Sequence, residues 1–325
     1  MTKELPVPGT NIKQVEAAER SEIVKVKSYR IDLDLTTGAE NFRVKTTIAF
    51  AGLKPGATTF IDCVGSKVIS AKLNAVEFDP KFDGETIYLP ALAAENILEI
   101  EHDGIYSNTG EGLHRFVDPV DNEVYLYTQF ETGDARRMYA CFDQPDQKAT
   151  FAISTITPKH WEVISNYGIE STKDLDGDRK HTQFATSQII STYVTAIVAG
   201  AYTSIHDEYK GEKTIPLGIY ARKSFFKHVD AQNIFKVTKP HMCHLVVDRC
   251  CAADVAALGD LAAENQNIFM ESYATNIFHR TPVVFSNCDL VILAEWVGQT
   301  KSLFKVGKAL FGNFKDIGRI NVLEK

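Results

Sequence analysis

Between Tyr29 and Tyr220 apolar and polar residues alternate with a period of two, segment after segment, and this restricts the fold more than any other feature of the chain. Tyr29, Ile31, Leu33 and Leu35 are separated by Arg30, Asp32 and Asp34, the pattern of a strand with one face buried. Val44, Thr46, Ile48 and Phe50 repeat it after a turn containing Gly38 and Asn41, and the adjacent Pro55 and Gly56 mark the next turn. Strand-like runs follow at 59–63, 68–78, 86–89, 97–102, 124–130, 151–156, 161–165, 182–185, 192–198, 201–206 and 215–220. An α/β sheet needs helical crossovers of a dozen or more residues, and no segment of helical period is found there to supply them. The expectation is therefore a mainly β, saddle-like antiparallel sandwich.

After Tyr220 the period changes. Ser224 is placed to cap a short helix, and Asp230 to start another that carries Ile234, Phe235 and Val237. Pro240 is expected to interrupt it, because proline removes a backbone donor and clashes with the preceding turn. Beyond lie a helical stretch at 252–263, an apolar run at 282–296 broken by the polar residues 286–289, and an amphipathic surface helix at 301–314. The expected division is a β domain over 1–222 and a short, mostly α segment over 223–325. A length of 325 residues agrees with two domains.

Composition excludes several classes. Hydrophobic residues at 44 % are too many for a disordered chain, and 42 acidic against 35 basic residues, a net charge of −7, argue against a nucleic-acid partner. No stretch approaches the roughly 18 apolar residues of a membrane-spanning helix. The first residues carry no apolar segment of the signal-peptide kind, so the expected compartment is the cytoplasm. Six cysteines, unevenly placed, make no disulfide scaffold. His241, Cys243, His244, Cys250 and Cys251 lie close together, but without a Cys-x-x-Cys pair they read as buried thiols on an apolar helix rather than as a metal site.

The segment 127–151, YTQFETGDARRMYACFDQPDQKATF, is the most informative in the chain. Through Thr128-Gln129-x-Glu131, Ala135-Arg136-Arg137, Phe142-Asp143-x-Pro145-Asp146 and Lys148-Ala149-x-Phe151 it closely resembles the N-terminal domain of the aminopeptidase N family of zinc exopeptidases, relatives of leukotriene hydrolase. The segment 191–200 (STYVTAIVAG), the early strand 29–35 and Leu217-Gly-Ile-Tyr220 fit the same family. The resemblance implies zinc-dependent removal of N-terminal residues from peptides with a free N-terminus. It also assigns the amine-binding carboxylate to Glu131, with Gln129 beside it fixing the substrate backbone. A cation is well recognised by a semi-buried carboxylate, since charge-assisted hydrogen bonds are about twice as strong as neutral ones. Arg136, Arg137, Asp143 and Asp146, charges around the Pro145 turn, read as groups that pin loops together.

In that family the chemistry belongs to a second domain, with a His-Glu-x-x-His helix, a later Glu ligand and a Gly-Ala-Met-Glu-Asn strand. None of the nine histidines here opens a His-Glu-x-x-His, and no Gly-Ala-Met-Glu-Asn occurs. Aligning Gly259-Asp-Leu261 and Glu271-Ser-Tyr-Ala274 with the family's corresponding stretches makes Glu271 a remnant of the third ligand. Cys251 and Val255 then stand at the two histidine positions and Ala252 at the general base. The expectation is a degenerate remnant of a thermolysin-like catalytic domain that holds no zinc and does not hydrolyse peptides alone. Two other readings are a non-catalytic module that binds peptide amines and an enzyme with a new metal site in the Cys/His segment. An unpartnered apolar face on such a remnant would also promote self-association.

Overall fold

The computed structural model of the chain describes residues 12–131, 133–211, 214–247, 281–287 and 290–296. Two compact units divide it, Met1–Ala201 and Tyr202–Lys325. The hairpin at the end of the period-two region is grouped with the second unit.

The first unit opens on helix α1 (Gln14–Ile23), for which the sequence shows no helical period. Its buried residues are charged, Glu16 and Arg20, so there is no apolar stripe to read. Strand β1 (Val24–Asp34) follows directly and alternates buried and open residues as its sequence requires. It pairs antiparallel with β2 (Asn41–Gly52), and β2 with β7 (Glu95–Ile105). On its other side β1 takes β10 (Thr150–Pro158) as a parallel neighbour, with Tyr29 opposite Phe151. The strands β4 (Lys67–Leu73), β5 (Val76–Glu77), β12 (Ile169–Leu175) and β13 (Arg179–Phe184) complete an eight-stranded sheet ordered β12-β13-β10-β1-β2-β7-β4-β5.

A four-stranded sheet, ordered β11-β14-β9-β8, carries the candidate site. It consists of β8 (Gly112–Val117), β9 (Val124–Gln129), β11 (Glu162–Ser165) and β14 (Ile197–Gly200). The short strands β3 (Thr59–Asp62) and β6 (Thr86–Leu89) form a separate pair. Tyr139 joins the layers at the core: its ring lies edge-on to Tyr29 and Phe151 of the large sheet and to Phe130, the residue after β9. Tyr29 and Phe151 stack at 4.8 Å.

Several sequence expectations change. The run 68–78 is two strands, because Asn74 and Ala75 adopt positive φ (52° and 64°) and make a tight two-residue hairpin. The run 192–198 is not one strand: Thr192–Val194 is a 3-10 turn, and β14 starts only at Ile197. The Tyr139 hydroxyl and the Thr195 hydroxyl both donate to the Thr192 carbonyl, which holds the turn against the β propensity of its residues.

In the second unit β15 (Tyr202–Lys210) and β16 (Thr214–Arg222) form a hairpin, extended by β18 (Leu290–Trp296) and then β17 (Thr281–Asn287). The apolar run 282–296 thus falls on two paired antiparallel strands, β17 and β18. Helix α2 (Ala231–Val247) starts where expected, with the Asp230 carboxylate accepting the Asn233 N–H at 3.1 Å. It continues through Pro240, contrary to the expected interruption: proline's fixed φ fits the helix, and the missing donor removes one intrahelical bond without ending the run. Its inner face packs Phe235 with Leu217, Ile219 and Ala221 of β16. The expected helices at 252–263 and 301–314, with Cys250, Cys251, Ala252, Val255 and Glu271, lie outside the described residues.

Candidate functional site

Strand β9 brings the Thr-Gln-x-Glu segment to one end of the four-stranded sheet. Gln129 pairs with Gly112 of β8, and the Thr128 hydroxyl accepts the Ile197 N–H at the start of β14. Phe130 then turns inward, 2 % exposed, against Tyr139. Gln129, the last residue of β9, and Glu131, in the turn that follows, are both half-buried. A tight turn follows, closed by the Asp134 N–H on the Phe130 carbonyl at 3.0 Å, and leads into the 3-10 turn Ala135–Arg137.

Glu131 carries a partly buried carboxylate. Partial burial pushes its pKa above the ordinary glutamate value, and among the described residues no hydrogen bond or ion pair engages its side chain. Tyr193, on the Thr192–Val194 turn, is its neighbour: burial raises the phenol's pKa, and the Glu131 charge raises it further. Sequence reasoning did not single out Tyr193, because its approach to Glu131 spans about sixty residues and no local pattern announces it.

The charged residues around Pro145 do pin loops, through hydrogen bonds as well as ion pairs. Asp143, 4 % exposed, accepts the Arg136 backbone N–H at 3.1 Å and the Thr192 hydroxyl at 2.7 Å. Asp146 accepts the Ser21 hydroxyl and the Gln144 amide, tying the segment to α1. Arg137 pairs with Asp134 at 2.6 Å and reaches Glu111 at 3.5 Å. Gly112 has φ +67°, and a Cβ there would lie 2.7 Å from the Arg137 Cβ, so both backbone and space demand glycine beside Gln129.

The sequence profile of the peptidase M1 N-terminal domain matches residues 25–194, more than half of the chain and the whole of this site. The chain belongs to the M1 peptidase family. An aminopeptidase N of Streptomyces lividans is 46 % identical over 239 residues, which is 72 % of this chain and 27 % of that protein. Another, from Acetobacter pasteurianus, is 32 % identical over 222 residues, covering 64 % of this chain and 61 % of the relative. Glutamyl aminopeptidase of Rattus norvegicus is 35 % identical over 127 residues, 38 % of this chain and 13 % of the relative. The chain thus spans about a quarter of the length of its Streptomyces relative.

The M1 family works with zinc; the positions read above as a remnant of its ligand set, Cys251, Val255 and Glu271, lie outside the described residues. Among the described residues no group of three or more His, Cys, Asp or Glu is placed to hold a metal ion. No helix among them is long and apolar enough to cross a membrane.

Proposed function

We propose that this chain provides the amine-recognition part of an M1 aminopeptidase site: Glu131 takes the free N-terminal ammonium of a peptide and Gln129 the adjoining backbone. The observation that carries the reading is the Glu131 carboxylate itself, partly buried, with no ion-pair partner among the described residues, two positions after Gln129. An incoming ammonium would replace lost hydration with charge-assisted hydrogen bonds, and a neutral N-acetyl group would not. Fixing the amine fixes the first peptide bond one residue away, which is the positional selectivity an exopeptidase needs.

Hydrolysis is not assigned to these residues alone, since neither a general base nor a competent zinc-ligand set is encoded at the aligned positions. The partners proposed are peptides with a free N-terminus, in the cytoplasm, and not nucleic acid. Calorimetric titration with an unblocked alanyl peptide and its N-acetylated form tests the binding reading. A preference of about tenfold or more for the free amine, lost in Glu131→Gln, is expected. Equal affinity for the two peptides would refute it. Turnover of an aminoacyl p-nitroanilide together with stoichiometric zinc would refute the second part.

A further inference from the structure

Asp143 bonds both to the 3-10 turn that follows the Glu131 loop and to the turn that carries Tyr193. Its two carboxylate oxygens serve different segments. One accepts the Thr192 hydroxyl at 2.7 Å, fixing the turn that carries Tyr193. The other accepts the Arg136 backbone N–H at 3.1 Å, fixing the 3-10 turn that closes the Glu131 loop. Its own N–H donates to Asp62 Oδ2 at 2.9 Å, the oxygen that also takes the Arg20 guanidinium at 2.6 Å. Asp62 and Arg20 are each 1 % exposed. A carboxylate buried this deeply is retained only with full hydrogen bonding and a nearby counter-charge, and here both are arranged around the same two turns.

We infer that Asp143 is a positioning residue for amine recognition: through Thr192 and the Arg136 amide it sets the separation of Tyr193 from Glu131. Ordinary loop pinning needs only one of these bonds. Here one carboxylate bridges segments more than fifty residues apart, and Glu131 and Tyr193 stand close in sequence to the two bonded positions, Arg136 and Thr192. The Thr195 hydroxyl and Tyr139 hold the Thr192 carbonyl from the other side, so the hydroxyl bond to Asp143 fixes the remaining rotation of the turn.

The inference rests on the amine-anchor reading of Glu131, and the test separates the two. Thr192→Val removes the hydroxyl at nearly constant volume, and Thr192→Ser keeps it. Both are prepared in the full chain beside wild type, checked for cooperative unfolding, and titrated at pH 7 with the unblocked alanyl peptide and its N-acetylated form. The expected result is that Thr192→Val loses most of the free-amine preference, about tenfold, while Thr192→Ser retains it. Asp143→Asn, which leaves one acceptor oxygen, is expected to resemble Thr192→Val. A wild-type chain with no preference would remove the amine-anchor reading itself. A wild-type preference undiminished in folded Thr192→Val would overturn the inference and leave that reading intact.

Discussion

Two buried groups of the first unit should make its stability respond to pH in opposite directions, and substitutions can separate them. His102, on β7 between β2 and β4, is fully buried, and neither ring nitrogen has a hydrogen-bond partner among the described residues. Burial pushes its pKa down from 6.5 to about 4. Between those values the unfolded chain binds a proton that the folded chain refuses, so stability rises with pH through the window and levels off above it. At about 1.36 kcal/mol for each pKa unit, the rise is about 3 kcal/mol. Asp143 behaves in the reverse sense. Burial pushes its pKa up from 3.8 to about 6, so the folded chain holds a proton that the unfolded chain has lost. Its contribution is most favourable below about pH 4 and falls by about 3 kcal/mol as pH rises to 6. In wild type the two nearly cancel over this range. His102→Leu should abolish one arm: the wild-type minus variant difference, from urea unfolding at pH 4 to 8, climbs by about 3 kcal/mol up to pH 6.5 and is flat beyond. At pH 7 the variant should be no less stable than wild type, because it also removes an unpaired buried N–H. A difference curve flat from pH 4 to 7 would refute the reasoning, since it would mean that the buried imidazole titrates as it does in water.

Other substitutions probe the supports of the site. Arg20→Met should destabilise the first unit by about 3–5 kcal/mol, because it strands Asp62 as a buried charge and removes the guanidinium from the Phe60 face. Thermal unfolding measures this, and adding Asp62→Asn should recover part of the loss, since the two residues are directly coupled. Gly112→Ala should cost about 1–3 kcal/mol, from positive φ and the contact with Arg137, and should weaken peptide binding through the paired Gln129. The Asp143→Asn difference curve should mirror that of His102→Leu, falling rather than rising between pH 4 and 6.

Much of the fold was legible because alternation is a direct print of a half-buried strand, and β1 and β2 carry it without a break. Strand β12 was not legible: almost all of its residues are open to solvent, so its two faces do not differ in polarity. Helix α1 was hidden for a related reason, since it docks through Arg20 and Glu16 rather than an apolar stripe. The parallel pairing of β1 with β10 joins residues more than a hundred positions apart, and no spacing rule encodes it. At the candidate site, Gln129 and Glu131 were singled out from a local motif alone. Their surroundings were not: the turn at Thr192–Val194 consists of good strand formers, and it is held as a turn by side-chain bonds from Tyr139 and Thr195 to the Thr192 carbonyl and from the Thr192 hydroxyl to Asp143. Asp143 was correctly read as a loop pin, but its bond to Thr192 required the folded chain.

The most direct measurement is the titration of the Glu131 carboxyl itself, followed by carbon NMR in the full chain with and without a free-amine peptide. The account predicts a midpoint above the usual glutamate value in the free protein, a clear downward shift when the unblocked peptide binds, and no shift with its N-acetylated form. A midpoint that ignores the free-amine peptide at saturating concentration would contradict the assignment of Glu131 as the amine anchor.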